Sequence, residues 1–296
     1  MQVWRLNIKP ASKADTDPRR FCIKRSIMGF GWPIQTDARS VTWEEYKEKA
    51  KEKYGGRGWK TATNGLYKRI NVGDLCWTRD RFGIYYLGRI ESDWRYVDTP
   101  EHRRADIVNV RDCRWLQVGE EDAAPGKVVN SLNVGGTLQR VTGEAVREYS
   151  KSLFNTLSGE KLYSLETRQQ NLFDYLHPDD CEDLVAIYLQ NKGYALFPST
   201  AKVSTPRYEY VLKHQETGRK AFVQVKAGRV SLDATSFAAL DGDVFLFTTH
   251  GERIGSAPNV QFLSPSEIRH FAEANCHMLP DRVRAWINIS QATQKQ

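Results

Sequence analysis

The chain has 296 residues, of which 40% are hydrophobic and 27% charged, a composition that is ordinary for a globular protein. No apolar run approaches the roughly 18 residues of a transmembrane helix, and the N-terminus lacks the apolar core of a signal peptide, so we expect a cytoplasmic protein without a membrane partner. The net charge is +7, and residues 1–150 hold all of the excess, with 27 Lys and Arg against 20 Asp and Glu. A basic N-terminal half favours binding to a polyanion.

The first half of the chain is predicted to be rich in short strands. In chain order they are "VWRLNI" (3–8), "LCWTRD" (75–80), "IYYLGRIESDWRY" (84–96) and a strand pair in "ADIVNVRDCRWLQV" (105–118). A helix is predicted in "VTWEEYKEKAKEKYG", with Thr42 as N-cap, Glu45 three residues later and Gly55 at its end. Residues 120–130 are predicted to form a loop. Many short strands with few helices indicate a small barrel or a strongly curved sheet.

The pattern changes near residue 146, where "GEAVREYSKSLFNTLSG" predicts a helix that joins two domains. An amphipathic helix follows in "PDDCEDLVAIYLQNKGY", which starts at Pro178 and stops at Gly193. Strands are then predicted in "ALFPST" (195–200), "YEYVLKH" (208–214), "KAFVQVK" (220–226) and "DVFLFTT" (243–249), before a final helix capped by Ser264 or Ser266. This order predicts an α/β domain. We expect domains at 1–145 and 175–296 with a helical linker at 146–174.

Two polar side chains, Gln224 and Lys226, lie two residues apart in the strand "AFVQVKAG". Side chains at this spacing share one face of a strand, so Val223 and Val225 face the other way. The segment "QETG" (215–218) predicts a hairpin that brings Glu209 of the preceding strand close to this pair. Glu182, on the amphipathic helix, would add a second acid.

Such a cluster is suited to the hydrolysis of phosphodiester bonds with a metal ion. Carboxylate and carbonyl oxygens bind Mg²⁺, which activates water and stabilises charge in the transition state. A lysine can orient the water or neutralise the developing charge. His177 and His250 are alternative general bases, but His177 precedes Pro178 at a helix start, where a structural role is expected.

The sequence "CEDLVAIYLQNKGY…ST…YEYVL…AFVQVKAG" resembles the Mrr-like branch of the PD-(D/E)XK nucleases over about residues 175–275. The resemblance implies a restriction-endonuclease-like fold and catalytic roles for Glu182, Glu209, Gln224 and Lys226. It further implies that Glu209 and Gln224 bind Mg²⁺, with Mn²⁺ as an alternative. The family usually has Asp where this chain has Glu209, and Gln224 provides one negative charge fewer than the Glu of the common signature.

The N-terminal half holds most of the tryptophans, and several lie beside basic or turn residues in "MGFGWPI", "GGRGWK" and "SDWRY". Aromatic rings next to arginine are suited to stacking on a nucleic-acid base. We expect base recognition and backbone contacts from these segments; the base-recognition residues are Trp32, Trp94, Tyr96 and Asp93, and the DNA-backbone residues are Arg57, Lys60 and Arg95.

The layout "IMGFGWPI…VGDLCWTRD…GIYYLGRIESDWRY" loosely resembles PUA-like domains, including the EVE branch, over about residues 1–140. The resemblance implies a small barrel that binds RNA or modified DNA bases. A β-rich interaction domain without a base pocket is the alternative.

Together these features predict a modification-dependent, type IV-like restriction endonuclease that cuts double-stranded DNA with Mg²⁺ in defence against phage. Cleavage of both strands needs two active sites, so we expect a transient homodimer. The alternatives are a non-catalytic DNA-binding protein with a degenerate nuclease fold and an RNA-binding protein.

Overall fold

The computed structural model describes residues 1–8, 16–36, 38, 40–56, 58–165, 172–201 and 207–294. The chain divides into two compact units, Met1–Glu166 and Thr167–Gln296. Both units combine helices with a sheet, so the protein is a mixed α and β protein. None of the helices in the described ranges is long and apolar enough to cross a bilayer.

The strands of the first unit are β1 (Val3–Leu6), β2 (Ile27–Phe30), β3 (Leu75–Arg79), β4 (Tyr85–Ile90), β5 (Arg95–Tyr96), β6 (Asn109–Gly119) and β7 (Leu138–Arg140). They form one curled, half-barrel sheet in the order β2-β6-β4-β3-β1-β7, with β5 also paired to β6. All pairings are antiparallel except that of β1 with β3. The prediction of a strand pair at 105–118 is therefore wrong, because β6 is one long strand that pairs with three neighbours.

Six helices of the first unit are described: α1 (Pro18–Lys24), α2 (Trp43–Tyr54), α3 (Gly58–Asn64), α4 (Pro100–Ala105), α5 (Gly126–Asn133) and α6 (Glu144–Ser158). A π-helical turn, Gly65–Arg69, follows α3. The expectation of few helices is wrong, and so is the loop at 120–130, because α5 begins there and buries an apolar face. The capping box of α2 is confirmed, since Thr42 and Glu45 each bond the other's backbone N–H.

The second unit contains a five-stranded sheet and packed helices. Its elements are α7 (Leu172–Tyr175), α8 (Pro178–Asn191), β8 (Tyr194–Leu196), β9 (Tyr210–His214), β10 (Lys220–Lys226), β11 (Leu232–Asp233), β12 (Asp243–Thr248), β13 (Arg253–Ile254), β14 (Val260–Phe262), α9 (Pro265–Ala274) and α10 (Asp281–Gln294). The sheet order is β14-β12-β10-β9-β8, antiparallel from β8 to β10 and parallel from β10 to β14. Residues 166–171 of the predicted linker lie outside the described residues, and α6 lies in the first unit.

The N-terminus of α8 is held by polar contacts that fix the position of the helix. His177 is its N-cap and bonds with Asp180 in a capping-box arrangement. Asp180 is buried and forms an ion pair with Arg282 of α10. Breaking a buried pair by removing one partner leaves an uncompensated charge, so these contacts constrain the register of α8.

Gly88 lets β4 and β6 approach closely in the core of the first sheet. A Cβ at this position would lie 2.4 Å from Cys113 Sγ and 2.5 Å from Trp115 Cε3. We predict that Gly88→Ala lowers the free energy of unfolding by about 1–3 kcal/mol, the typical cost of overpacking a core. Urea unfolding followed by tryptophan fluorescence measures this, since seven of the eight tryptophans precede residue 116.

Gly135→Ala is the matched control for this substitution, because a Cβ there would meet open space. Its unfolding midpoint should stay at the wild-type value. Equal midpoints for Gly88→Ala and wild type would contradict the prediction, because they would show that β4 and β6 move apart at little cost to accept the methyl group.

Candidate functional site

The hairpin of β9 and β10 brings three of the predicted catalytic side chains together. Glu209 directly precedes β9, and its backbone N–H donates to the carbonyl oxygen of Val223 at 2.8 Å. Its Oε1 atom accepts hydrogen bonds from Gln224 Nε2 at 2.6 Å and from Lys226 Nζ at 2.8 Å. One carboxylate oxygen of Glu209 therefore accepts hydrogen bonds from an amide 15 residues later in the sequence and from an ammonium group 17 residues later.

Gln224 is buried, with only 2% of its surface exposed. Its neighbour across the parallel pair is Leu246, and Phe222 on the same face packs against an apolar cluster that includes Leu246. Gln224 Oε1 is buried and has no hydrogen-bond partner among the described residues. Leaving an acceptor without water or a partner costs about 1–3 kcal/mol, so this oxygen is suited to a ligand that binds it.

Lys226 and Glu209 are more accessible than Gln224. The Lys226 side chain is 38% exposed and that of Glu209 is 24% exposed, so both can meet a ligand from solvent. Glu209 Oε2 accepts no hydrogen bond within the described part of the chain. One carboxylate oxygen is thus held by the lysine and the amide, while the other meets no donor of the described residues.

Glu182 lies on α8, where the hydroxyl of Tyr210 donates to its backbone carbonyl oxygen at 3.0 Å. The pKa of Glu182 is raised to about 7, chiefly by burial and also by the charges of Glu209 and Asp179, while the charge of Lys226 opposes the rise. Because the charges of Glu209 and Lys226 act on Glu182, its carboxyl group lies within electrostatic range of the three-residue cluster. Its carboxyl group can therefore exchange a proton near neutral pH.

The donor set of this cluster fits a hard cation. Carboxylate and amide oxygens are the ligands that Mg²⁺ prefers, and the buried, unpartnered Gln224 Oε1 is an oxygen of this type. No group of three or more His, Cys, Asp and Glu side chains within the described ranges could hold a metal ion. An ion here would therefore depend on Glu209, Gln224 and water, with Glu182 nearby.

The predicted base-recognition residues occupy different environments. Tyr96 is 9% exposed, and its hydroxyl donates to the carbonyl oxygen of Ile34 and accepts from its N–H, so its ring is not free to stack. Trp94 packs against the core of the first unit, and its Nε1 donates to Asn109 Oδ1 at 3.1 Å. Asp93 has a fully accessible side chain, 94% exposed, near Arg111.

Trp32 is the predicted base reader that lines a cavity. The cavity measures about 400 Å³, and Phe30, Tyr54 and Asp106 also line it. Sequence patterns did not indicate Asp106, which is distant from Trp32 in the chain. The one local feature of Asp106 is that it directly follows α4 in a left-handed conformation, which aspartate tolerates better than most residues.

The predicted backbone-contact residues are only partly available to a phosphate. Arg95 forms a bidentate ion pair with Asp112, with distances of 2.9 and 2.5 Å. Lys60 is half-buried, and its Nζ lies 5.9 Å from the centre of the Trp59 ring. Arg57 lies outside the described residues.

Comparison with known proteins gives one family match. The profile of a domain of unknown function, DUF8426, matches residues 4–141. This range lies within the first unit and covers less than half of the chain. No curated protein and no solved structure matches the chain.

The raised pKa of Glu182 has a consequence for stability. Between the ordinary value of 4.5 and about 7, the folded chain holds a proton on Glu182 that the unfolded chain has released, so the free energy of unfolding falls as pH rises through this window. Glu182→Gln removes this penalty. We predict that its stability relative to wild type rises from about pH 5 to pH 7 and then levels off, as measured by urea unfolding at several pH values.

Glu216→Gln, in the exposed turn between β9 and β10, is the control. Its stability should follow wild type in parallel at every pH. A parallel curve for Glu182→Gln as well would contradict the raised pKa.

Proposed function

We propose that the chain is a Mg²⁺-dependent endodeoxyribonuclease, in which the second unit hydrolyses phosphodiester bonds and the first unit binds the DNA. The observation that carries the proposal is the convergence of Glu209, Gln224 and Lys226 around one carboxylate oxygen, with a buried amide oxygen left unpartnered beside it. A chance polar pair on a strand face would be solvated, whereas Gln224 is buried. The proposal includes the restriction-endonuclease-like fold of the second unit and the resemblance to Mrr-like nucleases.

Each residue of the cluster has a distinct role in this proposal. Glu209 and Gln224 would hold Mg²⁺, which supplies a nucleophilic water and neutralises charge on the phosphate. Lys226, released from Glu209, stabilises the negative charge that develops on the phosphoryl oxygens. Glu182 is half protonated near pH 7 because of its raised pKa and can accept a proton there.

DNA recognition is proposed for the first unit, which carries the net positive charge of the chain. Such a charge attracts phosphate by counterion release. Trp32, which lines a cavity, is the proposed base-stacking residue, and a modified base is the proposed target, in keeping with a PUA-like or EVE-like domain in a phage-defence enzyme. Two copies of the chain would cut the two strands.

The second candidate is a DNA- or RNA-binding protein that does not cleave. Two features favour it: Gln224 adds no negative charge to the cluster, and Lys226 is held in an ion pair with Glu209 at 2.8 Å. This ion pair reduces the negative charge that Glu209 can offer to a cation.

A cleavage assay separates these candidates. The purified chain is incubated with plain plasmid and with phage DNA that carries modified bases, in Mg²⁺ or EDTA. We expect nicks and double-strand breaks in modified DNA with Mg²⁺ only. Binding without cleavage on every substrate would favour the second candidate, and competition by single-stranded RNA would identify an RNA-binding protein.

We predict that Lys226→Ala lowers the cleavage rate by about a hundredfold or more, the scale for loss of a charge-stabilising group. Lys220→Ala is the matched control, because Lys220 lies on the same strand and face but at its exposed start. DNA binding, measured by gel shift in EDTA, should be unchanged in both variants. Full cleavage by Lys226→Ala would contradict its role.

Substitutions of the two proposed ligands should have opposite effects on Mg²⁺ binding. We predict that Glu209→Ala loses the Mg²⁺ affinity measured by calorimetry, whereas Gln224→Glu keeps or raises it because it adds a charged oxygen. Without metal, Gln224→Glu places two carboxylates together and should lower the melting temperature in EDTA, with recovery in Mg²⁺. Undiminished Mg²⁺ binding by Glu209→Ala would exclude this site.

A further inference from the structure

A cavity in the first unit has the size and lining of a ligand site. Its volume of about 400 Å³ lies within the range of small-molecule pockets. Phe30, Trp32 and Tyr54 line it, and Asp106 is the charged residue among its described lining residues. A planar ligand in this cavity would therefore lie among aromatic residues and near one carboxylate.

The wall that carries Trp32 is held in a strained conformation. Trp32 has a φ angle of 64°, in the left-handed region that side chains rarely adopt. The carbonyl oxygens of residues 31–33 accept hydrogen bonds from Asn109 Nδ2 at 2.6 Å, from the Tyr46 hydroxyl at 3.1 Å and from the Tyr54 hydroxyl at 2.6 Å. Such strain costs about 1–3 kcal/mol and persists only where the surroundings impose it, which is typical of ligand sites.

Asp106 is the second residue of the wall in a left-handed conformation, with a φ angle of 52°. Its carboxylate lies against Gly31, where a Cβ would come within 2.4 Å of both oxygen atoms. The carboxylate forms no hydrogen bond and no ion pair within the described residues. Asp106 is an exposed residue whose carboxylate is partly desolvated, which raises its pKa, and no cation of the described residues offsets this effect.

An ionised carboxylate only accepts hydrogen bonds, and it accepts two in parallel from a planar partner with two adjacent donors. On its Watson–Crick edge, guanine presents the N1–H and the 2-amino group side by side. Adenine and cytosine present one amino group beside a ring nitrogen lone pair, and thymine presents one N–H between two carbonyl oxygens. A lone pair facing the carboxylate is repelled, so guanine alone of the four bases fits both oxygen atoms.

We propose that this pocket binds an extrahelical guanine-type base, which stacks on Trp32 and donates its N1–H and 2-amino group to the carboxylate of Asp106. The inference rests on the proposed nucleic-acid function and adds a base class to it. Asp106 is then the specificity-determining residue. A modification that leaves this edge intact is compatible with the pocket.

The test uses the full chain in EDTA and three labelled duplexes that differ at one position: a bulged guanine, a bulged hypoxanthine and no bulge. Hypoxanthine lacks only the 2-amino group, and a bulged base needs little energy to leave the stack. Fluorescence anisotropy should show at least tenfold tighter binding to bulged guanine than to the other duplexes, the effect of one hydrogen bond to a charged group.

Substitutions then assign the preference to the pocket. Asp106→Asn should abolish the preference for guanine over hypoxanthine, while binding to the unbulged duplex stays unchanged. Trp32→Ala should weaken binding to both bulged duplexes, and Trp32→Phe should restore most of it. Asp122→Asn, at an exposed position outside the pocket, is the matched control and should behave as wild type.

Equal affinity for the three duplexes, or an unchanged preference in Asp106→Asn, would overturn the inference and leave DNA binding and cleavage standing. Absence of binding to any duplex would overturn the DNA-binding function and the inference together. Preference for guanine without cleavage in Mg²⁺ would support the pocket and overturn the nuclease.

Discussion

The antiparallel register between β9 and β10 determines what the second unit can do, because it decides which side chains share a face. Tyr210 lies opposite Val223, so Glu209 comes opposite Gln224. A slip by one residue would place Glu209 opposite a valine and turn it towards the apolar side of the sheet. The turn holds the register, since Gly218 adopts a φ angle of 65° there and its N–H donates to the carbonyl oxygen of His214.

The first unit positions its cavity residues by another means. Residues 31–34 follow β2 but pair with none of the described strands, and side chains bond their backbone groups instead. Tyr96 bonds both the N–H and the carbonyl oxygen of Ile34, and Arg103 also donates to that oxygen. Tyr96, which the sequence predicts as a base-recognition residue, thus supports the segment that carries Trp32 instead. Rigid support of this kind reduces the entropy lost when a ligand binds.

Local patterns in the sequence were enough to predict much of the second unit. Alternation in β10, the turn at 215–218 and the start of α8 are short-range signals, and together they put Glu209 beside Gln224 and Lys226. The capping box of α2 is equally local. Helix α5 was missed because its eight residues, Gly126–Asn133, are too short to show a clear helical period.

The cavity could not be predicted in the same way. Trp32 and Asp106 are 106 − 32 = 74 residues apart and both lie in irregular backbone, where neither spacing nor alternation links them. Trp94 has the aromatic-beside-arginine pattern that favours base stacking, yet its ring packs on the core and contacts Trp43 edge-on at 5.3 Å. A sequence pattern near a turn does not show whether a ring points to solvent or into the core, because its packing depends on residues that are distant in the sequence.

Both candidate sites contain oxygen atoms without a hydrogen-bond partner among the described residues, namely Gln224 Oε1, which is buried, and the carboxylate of Asp106, an exposed residue that lines the cavity. Each of these oxygen atoms favours a ligand that carries positive charge or donates an N–H hydrogen bond. In the first unit this creates a division between affinity and specificity. The positive net charge attracts any nucleic acid, and salt screens it over about 8–10 Å. A carboxylate in the cavity repels phosphate and rejects lone pairs, so it adds nothing to that attraction. In the proposed function it would discriminate among bases once the backbone is bound, which would account for an acidic group in the pocket of a basic domain.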